Sequence, residues 1–358
     1  MSCLNFNNSF TYDFSNKTIF QIRDLDKLLT LEIELSLACN YSCKYCYTSA
    51  GQKGPGELSL SELKGIVDQA HEMGVQTIII IGGGEPLLYP HIEEIITYIF
   101  SKSMNIVLFT NGSLIDIDMA NFLLQHDVFP VIKVNGINPQ TINWLCGNKN
   151  AYKHFIRALS NLETVGYAEQ NNRIGISTII CRQNYSEIVP LWRWVRDSKF
   201  IPYFERVSPQ GRALKNDLQI SVDDLKRLFE ELSKVDRTNY NIFWESNHPP
   251  IAGASCNRHY YSAYIRANGD VIPCSGIDCV VGNIRTTPLQ DIVSNSKVIQ
   301  QLRHIEKTVK GKCKNCESQT LCYGCRGNAY QLTGDFLAED PYCWKSKGDS
   351  NELFEQSK

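Results

Sequence analysis

The chain has 358 residues, 43% of them hydrophobic, so it can bury a core larger than that of an average domain. Its formal net charge of −2 provides no basic surface for nucleic acid or an anionic membrane. No apolar run approaches the roughly 20 residues that span a bilayer, and the first residues lack the pattern of a signal peptide. Fourteen cysteines in such a chain indicate thiols that are kept as metal ligands in a reducing cytoplasm.

The most informative stretch follows the first predicted strand. Residues 1–30 are a polar and aromatic extension with a weak strand or hairpin signal at 18–23, and alternating apolar positions predict a strand over 31–37. Next come Cys39, Cys43 and Cys46, spaced C-x3-C-x2-C. Three thiolates leave one iron of a four-iron cluster without a protein ligand. A zinc site usually shows paired C-x2-C units or nearby histidines, so the spacing favours an open iron–sulfur cluster.

Strands and helices then alternate after a connector rich in glycine and proline at 51–56. Further strands are predicted over 76–81, 105–109, 131–134, 173–180 and 203–207. Helices are predicted from Ser59 or Ser61 to about 73, and over 90–102, 117–125, 151–165, 185–197 and 221–234. Six such units imply parallel strands with right-handed crossovers but do not close an eight-stranded barrel. The prediction is an α/β fold with an open, partial (β/α)6 barrel of the TIM type over 31–235.

Several polar or glycine-rich turns fall where predicted strands end. Gly82-Gly83-Gly84-Glu85-Pro86, Thr110-Asn111-Gly112 and Asn135-Gly136 each follow a strand, as the cysteine triplet does. The carboxyl ends of parallel strands meet at one edge of a sheet, so we expect a shared site there. Glycines lack a Cβ and let the backbone approach a ligand closely, although glycines alone are more often part of an ordinary turn.

A second group of cysteines marks a separate C-terminal region. A linker is predicted at 236–253, a cysteine-rich domain at 254–346 and a tail at 347–358. The domain contains Cys256, Cys274, Cys279, Cys313, Cys316, Cys322, Cys325 and Cys343. Two C-x2-C pairs suit tetrahedral zinc, and spacing alone leaves zinc and iron–sulfur both open. The isolated Cys3, Cys146 and Cys181 are expected to be small buried hydrophobes.

The first triplet, with an aromatic residue before its last cysteine, resembles the signature of radical S-adenosylmethionine (SAM) enzymes. The resemblance implies that Cys39, Cys43 and Cys46 are catalytic and hold a [4Fe–4S] cluster whose free iron is chelated by the amino and carboxylate groups of SAM. An electron from the cluster then splits SAM into methionine and a 5′-deoxyadenosyl radical, which abstracts a hydrogen atom from the substrate.

The same resemblance implies a set of SAM contacts. Gly83-Gly84-Glu85-Pro86 resembles the element that holds the SAM amino group, and Tyr45 and Tyr47 resemble the positions beside the adenine. Lys133 and Asn135 stand where relatives commonly carry a small polar residue and an aspartate. Lys133 could reach SAM or a substrate acid, or it could be a surface lysine. Two further candidates at strand ends are Asn111 and Ser177.

The C-terminal cysteines resemble the SPASM extension of radical SAM enzymes, which carries one or two auxiliary [4Fe–4S] clusters. The implied outer ligands are Cys313, Cys316, Cys322 and Cys343, and the implied inner ligands are Cys256, Cys274 and Cys325. Cys279 is a candidate fourth inner ligand or a free thiol. If no cysteine fills that place, the inner cluster has an open iron that substrate could occupy. One spacing departs from the family, since two residues rather than three separate Cys322 and Cys325.

Auxiliary clusters favour net two-electron oxidation, so we expect an oxidoreductase that dehydrogenates or cross-links a peptide or protein side chain. The alternatives are a small-molecule enzyme, either a dehydrogenase of an aminoglycoside or sugar alcohol or a decarboxylase of tetrapyrrole propionates, and a non-catalytic iron–sulfur electron-transfer protein. Ser275 rather than an acid follows Cys274, which weakens a role in sulfatase maturation. The expected partners are a flavodoxin- or ferredoxin-type electron donor and, because only 38 residues precede Cys39, a separate leader-peptide-binding protein.

Overall fold

The computed structural model describes residues 14–168, 173–246, 250–319 and 322–346. In these residues six parallel strands lie side by side in one sheet, in the order β6-β5-β4-β3-β2-β1. They are β1 Thr30–Ile33, β2 Thr77–Ile80, β3 Asn105–Thr110, β4 Val128–Lys133, β5 Gly175–Ile180 and β6 Ile201–Arg206. The predicted α/β class, with a parallel six-stranded partial barrel, is confirmed.

Helices connect these strands. They are α1 Asn16–Asp24, α2 Leu60–Glu72, α3 Ile92–Ser101, α4 Ile117–Gln125, α5 Pro139–Cys146, α6 Ala151–Thr164, α7 Ile188–Asp197 and α8 Val222–Val235. A capping box begins α2, where Ser59 Oγ accepts from Glu62 N at 3.3 Å and Glu62 Oε2 accepts from Ser59 N at 2.7 Å. Helix α5 was not predicted. It is eight residues long, capped by Asn138 with Pro139 in its first turn, too short for a clear helical period.

The strand or hairpin signal at 18–23 is wrong, because these residues lie in α1. Ser15 Oγ accepts a hydrogen bond from Thr18 N at 3.1 Å and caps the helix. Ile19 is buried in a small cluster with Tyr261 from the C-terminal half. That contact favours the helix and joins residues far apart in sequence, so the local pattern could not reveal it. Cys3 and the predicted tail at 347–358 lie outside the described residues.

The cysteine-rich half extends the same sheet. β7 Ser262–Ile265 pairs in parallel with β1, and β8 Asp270–Ile272 and β9 Gly282–Asn283 continue antiparallel. Its helices are α9 Leu289–Asn295, α10 Lys297–Arg303, α11 Ile305–Thr308 and α12 Arg326–Thr333. β1 therefore has a partner on each side, and the two halves of the chain share one sheet.

Both faces of the parallel strands are buried, as is usual where helices cover a parallel sheet. Ile78 and Ile80 of β2 belong to the main hydrophobic core. Ile79, between them, belongs to a smaller cluster with Val107 and Val131 on the opposite face. Side chains of that smaller cluster form an apolar wall below the carboxyl ends of the strands. In the described part of the chain no helix is long and apolar enough to cross a membrane.

Candidate active site

One cavity of about 270 Å³ lies at the carboxyl ends of the parallel strands. Ligands of open α/β sheets bind at this edge. The walls bring together two regions that are far apart in sequence. Its lining includes Cys39, Cys43, Cys46, Gly82, Gly83, Gly84 and Glu85 from the first two loops, and Cys256, Cys274 and Cys325 from the C-terminal half.

The loop that carries the first triplet is held by the turn after β6. Arg212 N donates to Cys46 O at 2.9 Å, and Arg212 Nε donates to Cys43 O at 2.7 Å. Gly211 has a φ of +53°, and a Cβ there would lie 2.5 Å from Cys46 O. Glycine is therefore required for this turn to approach the loop. The arginine also places a positive charge beside the backbone that carries the thiols.

The glycine stretch after β2 packs directly on the cysteine loop. Glu85 N donates to Ala38 O at 2.8 Å, and Thr48 Oγ1 donates to Gly83 O at 2.6 Å. A Cβ on Gly84 would lie 2.0 Å from Ala38 O. The two loops can meet only because this residue has no side chain. The glycines thus join two loops, in addition to the predicted exposure of backbone to a ligand.

Glu85 is buried and ties the second loop to the third. Its Oε1 accepts from Leu87 N at 3.1 Å and from Thr110 Oγ1 at 2.5 Å, and its Oε2 accepts from Asn111 N at 2.8 Å. Burial raises the pKa of Glu85, while these hydrogen bonds oppose the shift. A carboxylate offers about four acceptor positions. Three of these positions on Glu85 are used, so the predicted contact with the SAM amino group depends on the acceptor position that is still free.

The two tyrosines predicted beside the adenine both line the cavity. Tyr47 OH donates to Gly82 O at 2.9 Å and shares a hydrogen bond of 2.8 Å with Tyr264 OH. Tyr45 OH accepts from Asn135 Nδ2 at 2.8 Å. Both hydroxyl groups are thus held by the protein, which leaves the rings for contact with a ligand.

Lys133 and Ser177 lie together on the wall formed by β4 and β5. Lys133 Nζ donates to Ser177 Oγ at 3.0 Å and lies 5.2 Å from the centre of the Tyr45 ring. Burial lowers the pKa of Lys133, and the carboxylate of Glu205 opposes that shift. Lys133 is partly buried and lines the cavity, which argues against the alternative of a surface lysine.

The two predicted asparagine contacts are placed differently. Asn111 lines the cavity, and its Nδ2 donates to Asn40 Oδ1 at 2.9 Å. Asn135 is fully buried behind Tyr45, where its Oδ1 accepts from Ile179 N at 2.9 Å. The side chain of Asn135 therefore supports the tyrosine, and direct contact of either asparagine with SAM stays a prediction. Cys146 and Cys181 are both buried.

The inner group of C-terminal thiols lines the cavity. Cys256, Cys274 and Cys325 all contribute to its wall. Burial, together with the negative charges of Asp340 and Cys256, raises the pKa of Cys325 to about 12. Cys279 is partly buried in a neighbouring apolar cluster that also contacts Cys274. Its role as a fourth ligand stays a prediction.

Three thiols of the outer group, those of Cys313, Cys322 and Cys343, lie near one another. Burial, together with the neighbouring Cys343 and Cys313 thiols, raises the pKa of Cys322 to about 12. Cys316 N donates to Cys313 O at 3.4 Å. The zinc alternative requires Cys325 to join these residues, but Cys325 lines the cavity with the inner group. This arrangement favours the predicted inner and outer ligand sets.

The thiols suit iron–sulfur clusters chemically. Burial raises the pKa of Cys39 to about 12, so a free thiol there keeps its proton at neutral pH. A metal centre displaces that proton, because cysteine binds metals as the thiolate. Soft thiolate ligands are those that iron–sulfur clusters use.

Comparison with known families agrees with this chemistry. Residues 33–195 match the radical SAM superfamily, and residues 256–317 match the iron–sulfur cluster-binding domain SPASM. The chain belongs to the radical SAM superfamily. It is a radical SAM enzyme with a SPASM domain, and its cofactors are SAM and [4Fe–4S] clusters.

This radical SAM enzyme has relatives of more than one kind. It is 28% identical over 337 residues to AdoMet-dependent heme synthase of Methanosarcina barkeri, covering 87% of this chain and 94% of that protein. It is 28% identical over 336 residues to mycofactocin maturase MftC of Mycobacterium tuberculosis, covering 90% of this chain and 84% of that protein. The crystal structure of Streptococcus suis SuiB bound to S-adenosylmethionine has a TM-score of 0.70 at 19% identity, covering 89% and 78% of the two chains. This last comparison supports the fold.

Sequence reasoning missed two arginines that build the radical SAM site. Arg258 lines the cavity, where its Nη1 donates to Glu32 Oε1 at 3.0 Å and its Nη2 donates to Tyr203 OH at 2.5 Å. Arg212 clamps the cysteine loop. The one local signal for Arg212 is its place after a glycine in the turn that follows the sixth strand. Arg258 carried no signal, since its partners lie more than fifty residues away.

Proposed function

We propose that this radical SAM/SPASM enzyme is an oxidoreductase that modifies a peptide or protein side chain by net two-electron oxidation. The observation that carries the proposal is the shared cavity, whose wall contains Cys39, Cys43 and Cys46 as well as the inner thiols. When bound, the cofactors supply a carbon radical that removes a hydrogen atom and an acceptor for the electron that remains. A substrate held in this cavity lies between the two sets of thiols.

The residues of the chain have separate roles in this proposal. Cys39, Cys43 and Cys46 hold the first cluster, and the backbone at Gly83 and Gly84 lies against SAM. Lys133 provides a cation for the SAM carboxylate. Phe109 and Tyr203 both line the cavity. Their rings meet edge to face, with centres 5.5 Å apart. Their apolar surfaces exclude water from the carbon that reacts.

The proposed substrate is a peptide or protein, supported by the similarity to a maturase. The proposed partners are a flavodoxin- or ferredoxin-type electron donor and a separate leader-peptide-binding protein. A second candidate is a small-molecule enzyme acting on tetrapyrrole propionates. The similarity to a heme synthase over 94% of its length favours this second candidate.

The test uses anaerobically reconstituted enzyme with dithionite and SAM. We expect release of 5′-deoxyadenosine by the wild type and its loss in Cys43→Ala, which removes a ligand of the first cluster. Cys325→Ala should still release 5′-deoxyadenosine but should fail to give an oxidised product, measured by mass spectrometry. That product is two hydrogens lighter for a candidate peptide, and lighter by carbon dioxide and two hydrogens for coproporphyrin.

Cys181→Ala is the matched control, because Cys181 is buried in an apolar cluster with Leu145 and Val207. It should retain both activities. Release of 5′-deoxyadenosine by Cys43→Ala would overturn the role of the first triplet. Normal product formation by Cys325→Ala would overturn the role of the inner thiols.

A further inference from the structure

One corner of the cavity holds a buried cation with neutral partners. Arg206, the last residue of β6, is 3% exposed and lines the cavity. Its Nη1 donates to Gln219 Oε1 at 3.1 Å, and its Nη2 donates to Asn328 Oδ1. Its guanidinium carbon lies 3.5 Å from the centre of the Tyr342 ring. None of these groups carries a negative charge that could balance the arginine.

Two hydrogen-bond donors in this corner have no acceptor. Arg206 Nε and Asn328 Nδ2 lack a partner among the residues that the structure describes. The orientation of the Asn328 amide is fixed, because Arg206 can only donate and so must face Oδ1. Nδ2 therefore remains a donor. Buried donors without acceptors are costly.

The corner is rigid and is built by both halves of the chain. β6 supplies Arg206 and α12 supplies Asn328. Gln219 Oε1 also accepts from Tyr342 OH at 2.9 Å, so it holds the arginine and the ring beneath it. Asn328 N donates to Cys325 Sγ at 3.4 Å. The donors are thus oriented before a ligand arrives, next to a thiol of the inner group.

We propose that Arg206 and Asn328 bind a carboxylate of the substrate and fix that substrate beside Cys325. A carboxylate supplies acceptors for the two donors that lack one, and its bonds to a guanidinium group are among the strong ones in proteins. The inference rests on the proposed function, since it needs a substrate in the cavity. It narrows the substrate class to molecules with a carboxylate, either a tetrapyrrole propionate or an acidic group of a peptide.

The first test compares propionate with propionamide, which have nearly the same shape but differ in charge. Calorimetric titration of the reconstituted full chain with SAM should show one propionate site per chain. Propionamide should bind roughly tenfold more weakly or not at all, because a hydrogen bond to a charged group is lost. Arg206→Gln and Asn328→Ala should each weaken propionate by a similar factor. Equal affinity for the two probes would overturn the proposal.

Arg193→Gln is the charge-matched control, because Arg193 lies on the exposed side of α7. It should bind propionate as the wild type does. If Arg206→Gln fails to load iron, Arg206→Lys and Asn328→Ala replace it. The ratio of propionate affinity to propionamide affinity is then measured in these two variants. A second result would also overturn the proposal. In it, Arg206→Gln shifts the midpoint potential of an auxiliary cluster but keeps the wild-type ratio of propionate to propionamide affinity. The donors would then act on the cluster and not on a substrate.

A final pair of titrations identifies the source of the carboxylate. Coproporphyrin III is compared with its tetramethyl ester, and trialanine with trialanine amide. Preference for the free acid in the tetrapyrrole pair supports a small-molecule substrate, and preference in the peptide pair supports a chain terminus. No preference in either pair overturns the subsite. Release of 5′-deoxyadenosine is measured in parallel, so SAM cleavage without carboxylate preference refutes the subsite and leaves the proposed function standing.

Discussion

Single polar residues near the cavity are buried in networks that set their charge. Glu34, 3% exposed, accepts from Tyr264 OH at 2.7 Å through Oε1 and from Ala267 N at 3.0 Å through Oε2. Burial raises the pKa of Glu34 above its ordinary value of 4.5, and the two hydrogen bonds only oppose that shift. The folded protein therefore holds a proton on Glu34 at pH values where the unfolded chain has lost it.

This proton makes stability depend on pH with a definite sign. The free energy of unfolding should fall as pH rises from about 4.5 toward the raised pKa of Glu34, by up to about 1.4 kcal/mol per pH unit. Glu34→Gln stays neutral, so its profile from urea unfolding should be flatter in this range. Glu93→Gln, on the exposed side of α3, should keep the wild-type slope. An unchanged slope in Glu34→Gln would show that another group is responsible.

At the scale of elements, the site depends on how closely the loops after β1, β2 and β6 approach one another. These loops carry the cysteine triplet, the glycine stretch and the Arg212 turn. Each approach uses backbone contacts that a side chain would prevent. The position of the triplet is therefore set by neighbouring loops as much as by its own spacing.

Gly84→Ala tests this approach. Its Cβ would lie 2.0 Å from Ala38 O, so the loops must separate, and we expect lost stability and reduced iron in the first site. Gly65→Ala is the control, because Gly65 lies in α2 with nothing within 4 Å of its Cβ position. That change should stabilise the protein by roughly 0.5–1 kcal/mol. Urea unfolding and iron analysis measure both, and normal iron loading in Gly84→Ala would contradict the expectation.

At the scale of the whole molecule, the sheet makes the barrel and the SPASM domain one structural unit. β7 pairs with β1 over Thr30↔Ser262 to Ile33↔Ile265. Tyr264, on β7, hydrogen-bonds both Tyr47 and Glu34. The cavity also takes its thiols from both halves. Neither half therefore forms the site alone.

Tyr264→Phe tests the connection between the halves. Removing the hydroxyl leaves buried partners unsatisfied, and we expect a loss of about 1–3 kcal/mol in the free energy of unfolding. Tyr152→Phe, at a partly buried tyrosine of α6, should cost less. The wild type should show one urea transition by circular dichroism and by tryptophan fluorescence. Two separate transitions would contradict a single cooperative unit.

The sequence predicted much of the fold because its signals are local. The helix predicted at 117–125 has the bounds of α4, since its helical periodicity lies within the segment and its cap, Asp116, directly precedes it. The same reasoning failed for α1, where packing on Tyr261 favours a helix, and for α5, which is short. Lys133 lines the cavity, whereas Asn135 is buried behind Tyr45. Neighbouring strands cause this difference, so residue type alone could not predict which of the two faces a ligand.

The sequence by itself determined the α/β alternation, the two groups of cysteines and the radical SAM/SPASM family, because periodicity and motif spacing are written along the chain. Only the tertiary structure decided that β7 joins the barrel sheet, that one cavity contacts both groups of thiols, and that Arg206 is buried beside Asn328. These features depend on contacts between residues up to 233 positions apart. Local patterns cannot encode such contacts, because burial and charge pairing are fixed only when distant segments pack together.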